Sequence, residues 1–296
     1  MSITIRTMSE DDVHVVAPVI ARAFNAVNAR YGYPSEFPDP NISVLMSRYY
    51  LSQDPEGCLV AERDGNICGS VFGRRRGDHV SIGPVTVDPA SQASGVGRRM
   101  MQALFDLYPD AASFRLSQAA FNKESFSLYS KTGFVAAEQM LRLERPPAPV
   151  TPGDDEPHIR AVAVENAPLV ADLDRRLTGV ERGRELPTHF GMGKVYVYGG
   201  GTDVQGYLAT MPTPGSTFLG PAVAQSEAQL AALIRAALRD IAPGAAGLHL
   251  PARFAPTIAE CFRLGFRLFC LETLMVRGEW RTPPASYIHS MFPEAY

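Results

Sequence analysis

The chain is 296 residues long, which fits either two domains or one large one. Apolar residues make up 46% of it and charged residues 20%, a balance that builds a proper core and argues against extended disorder. With 28 basic against 31 acidic residues, the net charge of −3 provides no global field to recruit nucleic acid or an anionic membrane, so any anion site has to be local.

The N-terminus, MSITIRTMSEDDVHVV, lacks a basic-then-apolar signal region, and no apolar run approaches the roughly 20 residues that span a bilayer. A cytoplasmic address is therefore expected. Ile3 to Arg6 alternates like a short strand, and Ser9 can cap a helix whose apolar positions Val13, Val16, Ile20 and Phe24 recur at helical spacing. Residues 31–40, YGYPSEFPDP, read as a loop of the kind that lines a pocket, before a helix near Ser43 to Leu51. CLVAER, DGNICGSVFG and HVSIGPVTVD read as three successive antiparallel strands, the first two joined at Asp64-Gly65. The Pro89 to Gly97 turn then leads to a helix over Arg98 to Leu107 that carries Met100, Met101, Leu104 and Phe105 inward. A strand (Ala112 to Leu116), a helix (Asn122 to Ser130) and a final strand pair around Phe134 to Leu143 complete the unit. Four cysteines, Cys58, Cys68, Cys261 and Cys270, have no metal or redox spacing and read as reduced core thiols.

Residues 144–157, ERPPAPVTPGDDEP, hold five prolines and no apolar period, the pattern of a stiff exposed linker. The expected domains are 1–145 and 158–280, with the linker at 146–157 and a tail at 281–296 whose large apolar residues should dock. The second half repeats landmarks of the first in the same order. Ile159-Arg160 answers Ile5-Arg6 at an offset of 154, Gly220-Pro221 answers Gly83-Pro84 at 137, and Gly265-Phe266 answers Gly133-Phe134 at 132. The shortening falls largely in the glycine loop: DPASQASGVGRRMMQAL of the first half faces AQSEAQLAALIRAAL, which has no glycine.

Gln92-Ala-Ser-Gly95-Val-Gly97 lies between a strand and a helix, where unpaired N–H groups and the positive end of the helix dipole attract a pyrophosphate. Gly95 and Gly97 remove side chains that would block its approach and permit the twist that turns successive N–H groups toward one anion. The loop has no Gly-Lys-Ser/Thr ending, and Met100 stands where a dinucleotide fingerprint wants its third glycine, so both rival phosphate motifs fail.

IGPVTVDP, then QASGVG, then NKESFSLYSKTGF resembles the GCN5-related N-acetyltransferase (GNAT) family, over most of residues 3–144. The resemblance implies a mixed-sheet α/β fold. It also implies acetyl-CoA as cosubstrate, with no metal: Gln92, Gly95 and Gly97, with backbone N–H groups of Ala93, Ser94, Val96 and Arg98, on the pyrophosphate, and Val85 and Val87 on the pantetheine arm. Asn122, Ser125 and Tyr129 match the family's second block, with Asn122 capping its helix and touching the cosubstrate. Acetyl transfer needs a donor for the carbonyl oxygen as it turns negative and a proton for the departing thiolate. The backbone N–H of Val85, or of a close neighbour on that strand, is the candidate for the first. Tyr129, protonated at neutral pH with an ordinary pKa of about 10, is the candidate for the second.

No convincing base stands out; His79 and Asp88 are weak candidates, and Glu294 or Tyr296 of the tail could reach the first domain's cleft. Arg74-Arg75-Arg76 reads as a solvated turn in preference to a phosphate contact. Phe254 and Cys261 fall at the places of Asn122 and Tyr129, so the second half lacks loop, cap and acid together. The expected architecture is two tandem GNAT-like α/β domains, the first catalytic, the second degenerate, packed beside it and walling the acceptor pocket. The resemblance implies a primary amine of a small molecule or peptide as acceptor; no nucleic acid or membrane partner is expected, and a homodimer is left open. The rival is a protein that holds an acyl-CoA as a sensor without turnover.

Overall fold

A computed structural model describes residues 3–92, 94–150 and 156–291. Ala93, Glu294, Tyr296 and part of the proline-rich segment, which carry some of the expectations above, lie outside the described residues. The chain divides into two compact units, one running to Val135 and joined by Met275–Glu279, the other comprising Ala136–Leu274 and the residues from Trp280 onward. That division falls at 135/136, ten residues before the boundary the prolines suggest, because the strand that follows belongs with the second half.

The first unit opens with β1 (Ile3–Thr7), then α1 (Val13–Arg30) and α2 (Pro40–Gln53). Ser9 does begin the helical stretch: Asp12 accepts from the Ser9 backbone and hydroxyl at 2.8 Å, closing a capping box. β2 (Cys58–Arg63), β3 (Asn66–Arg76) and β4 (His79–Val87) form the antiparallel meander. α3 (Val96–Leu107), β5 (Ser113–Ala119) and α4 (Lys123–Lys131) follow. β5 joins β4 in parallel, so the sheet changes character where two strands flank a helix. Under it Met100, Met101, Leu104 and Phe105 of α3 are buried as their spacing requires, with Phe114, Leu116, Tyr129 and Phe134.

The expected final strand pair is one continuous strand, β6 (Val135–Arg145), because no turn residue interrupts its alternating sequence. From Ala136 on, it belongs to the second unit, where it pairs antiparallel with β11, Met140 opposite Pro251 and Arg145 opposite Ala246. The first unit is closed instead by residues from the chain's far end: Met275 is fully buried in its core, and the Glu279 N–H donates to the Ala112 carbonyl at 3.0 Å. Nor does the proline segment start as a free linker. The Arg145 guanidinium is buried and donates to the carbonyls of Ala148 and Pro149 at 2.9 Å and of Leu264 at 2.7 Å.

The second unit repeats the order: β7 (Ile159–Val162), α5 (Ala167–Thr178), α6 (Leu186–Met192), β8 (Val195–Tyr198), β9 (Gly206–Thr213), β10 (Ser216–Ala224), α7 (Glu227–Ile241), β11 (Ala246–Pro251), α8 (Ala255–Arg263) and β12 (Arg267–Gly278). A last strand, β13 (Ser286–Ile288), is fully buried against β10, so Tyr287 and Ile288 of the expected tail do dock. All four cysteines are buried thiols, none of them in a disulfide among the described residues. No helix among the described residues is long and apolar enough to cross a membrane.

Candidate functional site

β4 and β5 pair over only three positions, His79 with Ser113, Val80 with Phe114 and Ser81 with Arg115. Beyond these, β4 runs on to Val87 and β5 to Ala119 without pairing each other, so a wedge opens between their C-terminal ends. On its other edge β4 pairs β3, with Val85 opposite Val71 and Val87 opposite Gly69 after an irregularity between Val71 and Gly73. The Asp88 N–H donates to the Cys68 carbonyl at 2.8 Å. Antiparallel ladders alternate bonded and non-bonded pairs, so Val85 and Val87 turn their backbone N–H and C=O groups away from β3, toward the wedge.

The glycine loop crosses the wide end of this wedge. Gly95 is the N-cap of α3 at φ +83°, a left-handed conformation that places no Cβ against the carbonyl, and no side chain caps the helix there. The first intrahelical bond runs from the Arg99 N–H to the Gly95 carbonyl at 3.1 Å, which leaves the N–H groups of Val96, Gly97 and Arg98 without helical partners. A Cβ on Gly97 would stand 3.0 Å from Leu128. Ser94 donates to the Ser91 carbonyl at 2.6 Å, and Gln92 reaches back to the Val87 carbonyl at 3.4 Å. Arg63, at the end of β2, places its guanidinium on the Ser94 hydroxyl and 3.5 Å from that of Ser91. Sequence reasoning missed this cation, since nothing linear ties it to a loop about thirty residues downstream.

At the other wall, Asn122 caps α4 by accepting from the Ser125 N–H at 3.2 Å. The Ser125 hydroxyl meets the Asn122 carbonyl at 2.9 Å and Oε1 of Gln118 at 2.8 Å. One turn on, Tyr129 is 7% exposed, its ring 6.0 Å from that of Phe134, and its hydroxyl makes no hydrogen bond among the described residues. Burial raises its pKa above the ordinary phenol value, so the proton is retained at neutral pH. Gln118, which sequence reading did not single out, keeps its Nε2 unpartnered among the described residues, at 6% exposure. The structure thus brings together Val85, Val87, Gln92, Ser94, Gly95, Val96, Gly97, Arg98, Asn122, Ser125 and Tyr129 around one wedge. A diphosphate suits the uncapped helix start, and an extended amide-bearing arm suits the outward edge of β4 and the unsatisfied amide of Gln118.

The remaining candidates sit elsewhere. His79 is fully buried at the closed end of β4, six residues from Val85 or about 20 Å along a strand. Asp88 accepts from Arg22 at 2.6 Å and from the Ala90 N–H at 3.0 Å, and the Arg22 bond holds its carboxyl below the usual range. Neither is placed to take a proton from an acceptor. Arg74 and Arg76 are not solvated: both are buried within β3, and the Arg74 guanidinium lies 4.9 Å from the Tyr49 ring centre. Only Arg75 lies outward, paired with Asp110 at 2.7 Å. The 31–40 loop is pinned, by Asn28 on the Pro34 carbonyl at 2.8 Å and by Tyr33 stacked at 4.2 Å on Phe121, beside the α4 cap.

The second unit has the same wedge and has filled it. β10 and β11 pair only at Thr217 with Ala246 and Phe218 with Gly247. β13 then lies along β10, Ala222 opposite Ile288 and Ala224 opposite Ser286, at the positions that answer Val85 and Val87. The His289 N–H donates to the His249 carbonyl of β11 at 3.1 Å, sealing the other side. At the start of α7, Ser226 accepts from the Gln229 N–H at 3.3 Å, and the Glu227 carboxylate takes the Thr257 N–H and hydroxyl at 3.1 and 3.0 Å. A carboxylate there repels phosphate. Phe254 is the N-cap of α8 with no side-chain bond, and Cys261 is buried with its thiol pushed up to about 12.

Models of the acetyltransferase (GNAT) family match residues 22–134, and those of an acetyltransferase (GNAT) domain match residues 170–289. No curated protein matches the sequence. Among solved structures, a putative acetyltransferase from Pyrococcus horikoshii is similar at a TM-score of 0.74 and 20% identity, over 96% of this chain and 93% of that one. A GCN5-related N-acetyltransferase from Sphaerobacter thermophilus is similar at 0.68 and 15%, over 93% and 95%. A tandem GNAT protein from the clavulanic acid biosynthesis pathway is similar at 0.62 and 14%, over 95% and 100%. At these identities the likeness is one of fold.

Proposed function

Since the chain belongs to the acetyltransferase (GNAT) family and carries one such domain in each half, we propose that its first half transfers an acetyl group from acetyl-CoA to a primary amine of a small molecule or peptide in the cytoplasm. The second half is a non-catalytic copy. Acetyl-CoA supplies an activated thioester carbonyl. The N–H groups of Val96, Gly97 and Arg98 hold its diphosphate at the α3 terminus, helped by the nearby Arg63, with no cap to displace. The outward backbone of Val85 and Val87 aligns the arm along β4. As the neutral amine attacks and a C–N bond replaces the C–S bond, the Val85 N–H faces the oxygen that gathers charge, Tyr129 gives its proton to the departing sulfur, and the proton shed by the acylated nitrogen returns through solvent to the phenolate.

The observation that carries this reading is the contrast between halves of one chain. The first keeps an open wedge, an uncapped helix start and a buried phenol; the second replaces them with β13, Glu227 and Cys261. The test is release of free thiol from acetyl-CoA against a panel of primary amines. Turnover is expected with at least one amine, and Tyr129→Phe should lower kcat by roughly a hundredfold or more while Kd for coenzyme A stays the same. Tight binding without turnover across the whole panel would refute transfer and leave an acyl-CoA holder.

A further inference from the structure

Gln118 lies three residues past Arg115, the last residue of β5 paired with β4, and so borders the wedge. Strand alternation puts it on the face of Phe114 and Leu116, beneath α3 and α4. Among the described residues one arm of its amide is used: the Ser125 hydroxyl meets Oε1 at 2.8 Å, while Nε2 is buried without a partner. Exchanging the two amide atoms merely transfers the deficit to the oxygen. A buried amide with an unmade hydrogen bond destabilises a core that an aliphatic side chain would satisfy.

The chain itself holds that aliphatic alternative. Register aligns the halves at this point, because Val80 pairs Phe114 as Thr217 pairs Ala246, which sets Gln118 against Leu250. Leu250 is fully buried on a strand whose wedge is filled. The scaffold therefore accepts leucine here, and the glutamine sits in the half whose wedge is open.

We propose that Gln118 is a specificity-determining residue for the thioester arm: its unsatisfied amide completes its hydrogen bonding on an amide group of pantetheine, facing the backbone groups of β4 across the wedge. This rests on the reading of the first half as a coenzyme A site. The residue then distinguishes ligands that bear the arm from nucleotides that end at the phosphates.

The experiment is calorimetric titration of the full chain with coenzyme A and with adenosine 3′,5′-bisphosphate, which lacks the arm, alongside thermal unfolding without ligand. Gln118→Leu should raise Kd for coenzyme A about tenfold, leave that for the bisphosphate within about twofold, and leave the ligand-free Tm unchanged or higher. Gln118→Met, close in volume and unbranched, should repeat the result if leucine disturbs packing. Wild-type affinity for coenzyme A in both variants overturns the assignment, as does an equal loss for the two ligands. Failure of the wild-type chain to bind coenzyme A would instead refute the reading of the first half.

Discussion

Gly95→Ala isolates the conformational requirement of the glycine loop. A Cβ at this position meets nothing within 4 Å, so the substitution introduces no collision. The cost is all in the backbone: at φ +83° an L-residue loses roughly 1–2 kcal/mol to contact with its own carbonyl. That energy can appear in either of two measurements. If the loop keeps its shape, the folded state is strained, and each 1 kcal/mol lowers Tm by roughly 2–4 °C for a chain of this class. If the loop relaxes to negative φ, stability is preserved, but the amides of Val96 and Gly97 turn away and must be restored on binding, which raises Kd for coenzyme A roughly five- to thirtyfold. Gly95→Asn separates shape from space, because asparagine tolerates the left-handed region; it should recover most of both losses. Thermal unfolding and calorimetry on the two variants are the assay. An alanine variant indistinguishable from wild type in both, or an asparagine variant as impaired as the alanine one, refutes the reasoning.

Three further outcomes follow from the packing. Asp174 is fully buried, accepts from Arg182 and from the Tyr207 hydroxyl at 2.6 Å and from Thr178 at 2.8 Å; Asp174→Ala breaks the buried pair with Arg182 and removes the acceptor these donors share, and should cost about 3–5 kcal/mol in urea unfolding, a loss under about 1 kcal/mol counting against it. Burial pushes the Cys58 and Cys261 thiols up to about 12, so both should resist a thiol reagent at pH 8 until the protein is unfolded, and prompt labelling of either in the native state would contradict their placement. The Asp12 carboxyl is held below the usual range first by the Arg6 hydrogen bond, so its contribution is complete above the unfolded value near about 4 and fades as pH falls below it. The stability gap between wild type and Asp12→Asn should therefore be flat above about pH 5 and shrink below about pH 4; a gap that widens on acidification would reverse the sign.

Much of the fold was legible because its signals are local. The meander shows in alternation broken at Asp64-Gly65, α3 in the spacing of Met100, Leu104 and Phe105, and the α4 cap in Asn122. The wedge itself follows from register, which periodicity does not encode. Arg63 and Gln118 were missed for the same reason: one reaches the loop from a distant strand, and the other looks like an ordinary strand residue until its unmade hydrogen bond is seen. The arginine triplet misled because charge suggests solvent, whereas in a strand residues 74 and 76 share a face and 75 takes the other. The 135–145 strand misled because sequence continuity says nothing about which unit a strand joins.

The strand that closes the first unit has a consequence for synthesis. When a ribosome has translated as far as residue 145, the nascent first half still lacks Met275, whose side chain is fully buried in its core, and Arg277, whose guanidinium lies 3.8 Å over the Phe105 ring. Its edge beside Ala112 has no partner until Glu279 emerges. Vectorial folding therefore waits at an incomplete sheet for about 130 residues of elongation, roughly six to twenty-six seconds at ordinary rates. A gene cut at the proline-rich stretch would encode a first half without the side chain that fills this core position and without the segment that pairs this edge.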